Sequence, residues 1–295
     1  LRLDPNPFGP HCEFRQELKL REGFVRVSGR DDEVQADVEI WVEVQRSVVH
    51  VEIAADTPIS VQAAYEGWRN EPEELLEEDS YDKRSRFGCL SWDRYPGEVV
   101  RHPDVVGFDG DSVLFHHRNR DDRLLFDFMV RQQGLEEVRT GMVDTQKGRT
   151  FGGLLTGADF VQSGVDEDTY LITPFKAWKL VTEQPALRHE LRLFTHVDQT
   201  ESLEDWRKTL QTFVDATHPS TSAAREEARE WWRRYWQRSW LIIDPEKNSA
   251  DNLPWQLARN YQLFRYQLGC NAYGSYPTKF NGGNFTCDPS LIQED

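Results

Sequence analysis

The residues best suited to chemistry in this sequence lie near its C-terminal end. Tyr276, Lys279, Asn281 and Asn284 fall within Gly274–Thr286, a stretch dense in turn formers that also holds Gly282 and Gly283. An ammonium, two amides and a phenol beside aromatic rings can hydrogen-bond a polyhydroxylated ligand while a ring stacks on it. A purely structural turn is the plain alternative. Upstream stand Trp231, Trp232, Tyr235, Trp236 and Trp240, and the spacings 232/236/240 and 231/235 place these rings along one broad helical face. Six of the ten tryptophans fall between Trp206 and Trp255. An indole face suits the apolar face of a pyranose. Trp at helical spacing more often packs between elements, and packing is the favoured reading for any single one.

Other constellations point away from particular chemistries. His116-His117 is the only close His pair, and adjacent residues on a strand face opposite ways, so the two do not chelate one metal together. Cys12, Cys89, Cys270 and Cys287 show no CxxC spacing, which reads as free thiols rather than zinc ligands; a Cys270–Cys287 disulfide stays open. No nucleotide-binding glycine motif or GxSxG elbow occurs, and no cofactor is implied. A net charge of −16 without a Lys/Arg stripe argues against nucleic acid as a partner. No run of eighteen uncharged apolar residues exists, so membrane insertion is not expected.

The elements that must position these groups change character near residue 200. Val34, Ala36, Val38, Ile40, Val42 and Val44 alternate with polar residues as a half-buried strand does, and Val49, Val51 and Ile53 resume after Arg46-Ser47. Further strands are expected at Ser112–His117, Leu124–Arg131, Tyr170–Phe175 and Leu187–Val197, with glycines between them. The acidic segment Asn70–Arg86 reads as an exposed excursion. This is the pattern of an antiparallel sandwich. Beyond it, Ser202 caps a helix with Leu203, Trp206, Leu210 and Phe213 on one face. A second helix starts at Ser220 or Ser222. A third runs from about Leu253 to Asn271, with Leu257, Tyr261, Phe264, Arg265 and Leu268 as inner positions.

Taken in order, Trp231-Trp232…Trp236…Ser239-Trp240, Asn260-Tyr261-Gln262-Leu263-Phe264-Arg265-Tyr266 and Tyr276-Pro277-Thr278-Lys279-Phe280-Asn281-Gly282 resemble bacterial domain of unknown function family 5703. Trp41-Val42-Glu43-Val44, Glu66-Gly67-Trp68-Arg69 and Phe115-His116-His117-Arg118-Asn119 are similar to it as well. That family is similar in layout to glycoside hydrolase family 95. The resemblance implies a mostly β N-terminal supersandwich (1–199), an α-helical linker (200–240) and the start of an (α/α)6 barrel (241–295). It implies inverting hydrolysis of an oligo- or polysaccharide, in which one carboxylic acid protonates the leaving oxygen and a base activates water. A periplasmic or extracellular location goes with that role. Tyr276, Lys279, Asn281 and Asn284 would then be substrate contacts. Residues after Trp240 are too few to close a twelve-helix barrel, so the acid and base are expected beyond Asp295, and Asp288, Glu294 and Asp295 receive no role. The competing reading is a non-catalytic carbohydrate-binding or structural β-sandwich protein.

Overall fold

The computed structural model describes residues 1–74, 100–120, 125–170, 173–217 and 220–274. Strands come first. They are β1 (Arg2–Asp4), β2 (Glu13–Lys19), β3 (Phe24–Arg30), β4 (Gln35–Val42), β5 (Val48–Gly67), β6 (Glu73–Glu74), β7 (Val100–Arg101), β8 (Val105–Asp109) and β9 (Ser112–Arg118). After helix α1 (Leu125–Gln132) and a 3-10 turn (Glu136–Gly141) come β10 (Arg149–Thr156), β11 (Phe160–Tyr170), β12 (Thr173–Thr182) and β13 (Ala186–Gln199). Three helices then follow: α2 (Leu203–Ala216), α3 (Thr221–Trp236) and α4 (Leu253–Cys270). Apart from α1 and the 3-10 turn, the expected order of strands and then helices is the observed one, and the chain is mostly β in its N-terminal part.

All ladders are antiparallel. One sheet runs β2-β3-β4-β5-β13-β10-β9-β8. The long strand β5 belongs to two layers. Its first part pairs with β4 and β13, and its later part pairs with β1 and β12, which in turn carries β11. The sandwich core lies between these layers. Ala36, Val38 and Ile53 from one meet Ile59, Val61, Ala63 and Leu180 from the other. The alternation at 34–40 thus faces the core, as period two requires.

The opposite phase of the larger sheet is covered by helices. Leu114, Leu154 and Phe194 are cross-strand neighbours, and α2 lays Trp206, Leu210 and Phe213 over them. His116, Gly152 and His196 form the next row. Gly152 has no side chain there, and the fully buried ring of Trp206 lies beside both imidazoles, with centroids 5.6 and 5.8 Å away. Burying such an indole contributes roughly 2–3 kcal/mol. Ser202 caps α2 by accepting a hydrogen bond from the Asp205 backbone N–H, and Ser220 does the same for α3 from Ala223.

Two expectations fail. In place of the strand expected at Leu124–Arg131, Leu125–Gln132 is a helix with Asp127 in its first turn and Arg131 in its last, where each complements the helix dipole. A short continuous apolar run has no period that separates the two structures. Tyr170–Phe175 is not one strand either: it spans the end of β11 and the start of β12. Most of the acidic segment 70–86 lies outside the described residues.

Candidate functional site

The helical end of the chain is built around one tryptophan. Trp232 of α3 fits a slot between two glycines far apart in sequence. Gly23, at φ +70° in the β2–β3 turn, lies so close that a Cβ there would meet Trp232 Nε1 at 1.9 Å. On the other side, a Cβ on Gly269 of α4 would stand 2.8 Å from the ring. Real contacts of that length do not occur, so both positions require the absence of a side chain. Tyr266 stacks on Trp232 at 4.9 Å, Trp236 Nε1 donates to the Leu20 carbonyl at 2.6 Å, and Arg21 lies over Trp240. These rings bind the first hairpin, α3 and α4 into one lattice, the packing role favoured from their spacing.

Arg265 completes the lattice. It is buried, lies over Tyr235 and Trp236, and donates to the carbonyls of Ser239 and Tyr235; Tyr235 Oη donates to the Arg265 carbonyl at 2.6 Å. The inner face of α4 is therefore Ala258, Arg265, Tyr266 and Gly269. Of the five inner positions expected from sequence, only Arg265 is inside. Leu257 is 60% exposed, Phe264 58% and Leu268 46%, and Tyr261 is also exposed. The reason is the tryptophan lattice. Small and hydrogen-bonding residues fit against stacked rings, and the large aliphatic stripe is turned away.

Where α3 meets the larger sheet, the contact is charged. Arg225 donates to Glu39 at 2.6 Å and to Glu52 at 3.3 Å, and its guanidinium lies over Phe24 and Trp41. Trp41 stacks on the buried His50 at 4.0 Å. His50 Nε2 lies 2.9 Å from Glu43, which Arg46 also binds. On its other side Glu190 is an electrostatic neighbour at 3.7 Å, held by Arg192 and Thr221. His50, then Thr221 and Arg192, hold the Glu190 carboxyl down at about 2 against the effect of burial. Burial opposes charge on His50, yet its two carboxylate neighbours outweigh it and raise its pKa. Sequence reading missed this network. Its signal was Trp41, an aromatic on the apparently solvent-facing phase of β4, flanked by Glu39 and Glu43.

The same contact ends in a cleft lined by Glu43, Arg46, Glu227, Trp231 and Arg234. Trp231 Nε1 donates to Tyr273 Oη at 3.1 Å, and Tyr273 is 58% exposed. This half-open aromatic edge leads directly to residue 275. Tyr276, Lys279, Asn281 and Asn284 lie outside the described residues, as do Cys287, Asp288, Glu294 and Asp295. A second recess, of about 260 Å³, has a floor of Leu114, Leu154, Leu210 and Val214 and a rim that includes Asp109, Glu204, Arg207 and Lys208. Lys208 is already engaged by Glu204 and Asp205 there.

His116 and His117 do point to opposite faces. His116 meets Trp206 under α2, whereas His117 stacks on Phe151 and bonds Asp104 at 2.9 Å. Among the described residues no group of three or more His, Cys, Asp or Glu is placed to hold a metal ion. Cys12 and Cys270 are free thiols. No described helix is long and apolar enough to cross a membrane.

Comparison with known proteins adds a family. No curated protein matches the chain. Among solved structures, a protein from the human microbiome assigned as a kojibiose phosphorylase is similar over 87% of this chain and 26% of its own, at 13% identity and a TM-score of 0.39. A bacterial glucoamylase complexed with acarbose is similar over 88% of this chain and 32% of its own, at 7% identity and a TM-score of 0.37. The chain thus spans less than a third of the length of either structure. The family model described as Domain of unknown function (DUF5703) matches residues 1–241, most of the sequence, and the chain belongs to that family.

Proposed function

We propose that this chain is the sandwich and linker of a glycoside hydrolase whose helical domain continues from α4. The observation that carries the reading is the two-sided character of α4. One face is locked to the tryptophan lattice, while Leu253, Leu257, Phe264 and Leu268 form an exposed apolar stripe on the other. A helix packed on one face and lined with large apolar side chains on the other is built to be covered on both. In this reading 1–199 is the sandwich domain, 200–240 the linker and 241–295 the opening of an (α/α)6 barrel whose later helices cover the stripe. The loop after Tyr273 then lies at the barrel mouth, where Tyr276, Lys279, Asn281 and Asn284 contact the sugar.

The chemistry proposed is inverting hydrolysis of an oligo- or polysaccharide. A carboxylic acid from a later helix protonates the leaving oxygen, and a second carboxylate removes a proton from the attacking water. No cofactor enters the scheme, and a periplasmic or extracellular location suits a polymeric substrate. The test is kinetic, on the polypeptide extended through its helical domain and offered a panel of oligosaccharides. Lys279→Ala and Asn281→Ala should each lower kcat/KM by about 10- to 100-fold. Unchanged kinetics in both, or glycan binding with every glycosidic bond left intact, would overturn the reading.

A further inference from the structure

We propose that the sandwich carries a glycan-binding platform of its own, formed by Trp68 and Tyr170 on the outer face of the smaller sheet. In β5, Ile59, Val61 and Ala63 point into the core, so Glu66 belongs to the outward phase, and Trp68, in the bend just past the strand's end at Gly67, is exposed beside it. Trp68 is 40% exposed and Tyr170, at the end of β11, is 55% exposed. Their planes differ by only 6°, yet the ring centroids stand 6.4 Å apart. Two other parallel pairs close to 4.0 Å (Trp41 and His50) and 4.2 Å (Tyr65 and Phe115), whereas Trp232 and Trp236 also stand wide, at 6.3 Å. Trp68 and Tyr170 are aligned at the wider spacing, and both rings remain accessible to solvent.

The mounting of Trp68 is rigid. Asn70 Nδ2 donates to the Gly67 carbonyl at 2.7 Å on one side. On the other, Arg69 binds Asp104 at 2.9 and 3.1 Å, the Asp104 backbone N–H donates to the Arg69 carbonyl, and His117 holds the second Asp104 oxygen. An aromatic surface fixed before binding loses little freedom when a ligand settles on it.

The surroundings select the ligand. Ala177 pairs with both Glu66 and Asp166, and Asp168 lies opposite Phe175, so three carboxylates share the outward face. Lys179 engages Asp166 at 2.5 Å. Carboxylates accept hydrogen bonds from sugar hydroxyls, and the pyranose C–H face stacks on aromatic rings. The same carboxylates, on a chain of net charge −16, repel an anionic polymer. The geometry therefore points to neutral pyranosides rather than uronates or nucleic acid. The site does not depend on the hydrolase reading, because it is scored by binding and not by turnover.

The experiment is titration of the chain with cellohexaose, maltohexaose, xylohexaose and laminarihexaose, with polygalacturonate as the anionic control, followed by calorimetry. At least one neutral probe should bind with a millimolar or tighter Kd. Trp68→Ala and Tyr170→Ala should each weaken that probe about tenfold or more. Trp68→Phe and Tyr170→Phe, which keep a ring and put little at risk in folding, should stay within about threefold of the parent. Binding that is equally strong in the two Ala variants, absent for every neutral probe, or stronger for polygalacturonate would each overturn the proposal.

Discussion

Helices α2 and α3 lie on the same face of one sheet and are held there by opposite physics. Under α2 the sheet offers Leu114, Leu154 and Phe194, then the bare backbone of Gly152 between two imidazoles, and the helix answers with volume. Under α3 it offers Glu39, Trp41, Glu43 and Glu52, and the helix answers with Arg225. Shape complementarity tolerates substitutions that preserve volume. A buried charge tolerates nothing that leaves its partner alone.

The largest expected effect is on the α2 side. Trp206→Ala should cost about 3–5 kcal/mol in denaturant unfolding, because the ring is fully buried against His116, His196 and the apolar cluster under α2. A cost below about 1 kcal/mol would mean that the ring is not the anchor. On the α3 side, Arg225→Ala should cost about 2–3 kcal/mol, less than a fully buried pair because Glu52 is 40% exposed. Arg225→Met together with Glu39→Gln should recover most of that loss. A double variant no better than Arg225→Ala would show that packing over Phe24 and Trp41 dominates instead. Gly23→Ala should cost at least about 2 kcal/mol through its positive φ and the clash with the clamped Trp232 ring, read as a lowered Tm.

The smallest effect separates the two helices by pH. Burial holds His116 and His196 below the ordinary His range, with Arg207 adding to the effect on His116. Their unfolded forms bind protons more readily, so the α2 contact weakens as pH falls below about 6.5. His50 is raised, so its contribution is complete below about 6.5 and fades as pH climbs through its raised value. Glu190 adds stability above the ordinary carboxyl range that is lost only as pH falls toward 2. Between pH 7.5 and 5.5, amide protection factors should therefore fall in α2 and hold or rise in α3. Parallel changes in both helices would erase the distinction.

The legibility of this molecule follows the same divide. Ala36, Val38 and Ile40 announce their strand because one phase is apolar and the other polar, and Ser202 and Ser220 announce their helices because a cap is a local device. The polar phase of β4 carried only one such notice, Trp41. Glu39 and Glu43 look like solvent-facing residues until Arg225, almost two hundred positions later, is brought over them. On α4 the longest apolar side chains suggested the inner face, whereas Trp232 selected Gly269 and Tyr266. Local signals survive in one dimension, and a partner chosen by shape or charge from a distant segment does not.

The slot that clamps Trp232 also sets a timetable. Gly23 is synthesised more than two hundred residues before Trp232 and Gly269. The first hairpin must therefore persist, open on one side, through the synthesis of nearly the whole sandwich. Closing so long a loop is entropically costly and slow, and surface left uncovered meanwhile is open to wrong partners. A hairpin at the start of the sandwich is completed only once α4 exists.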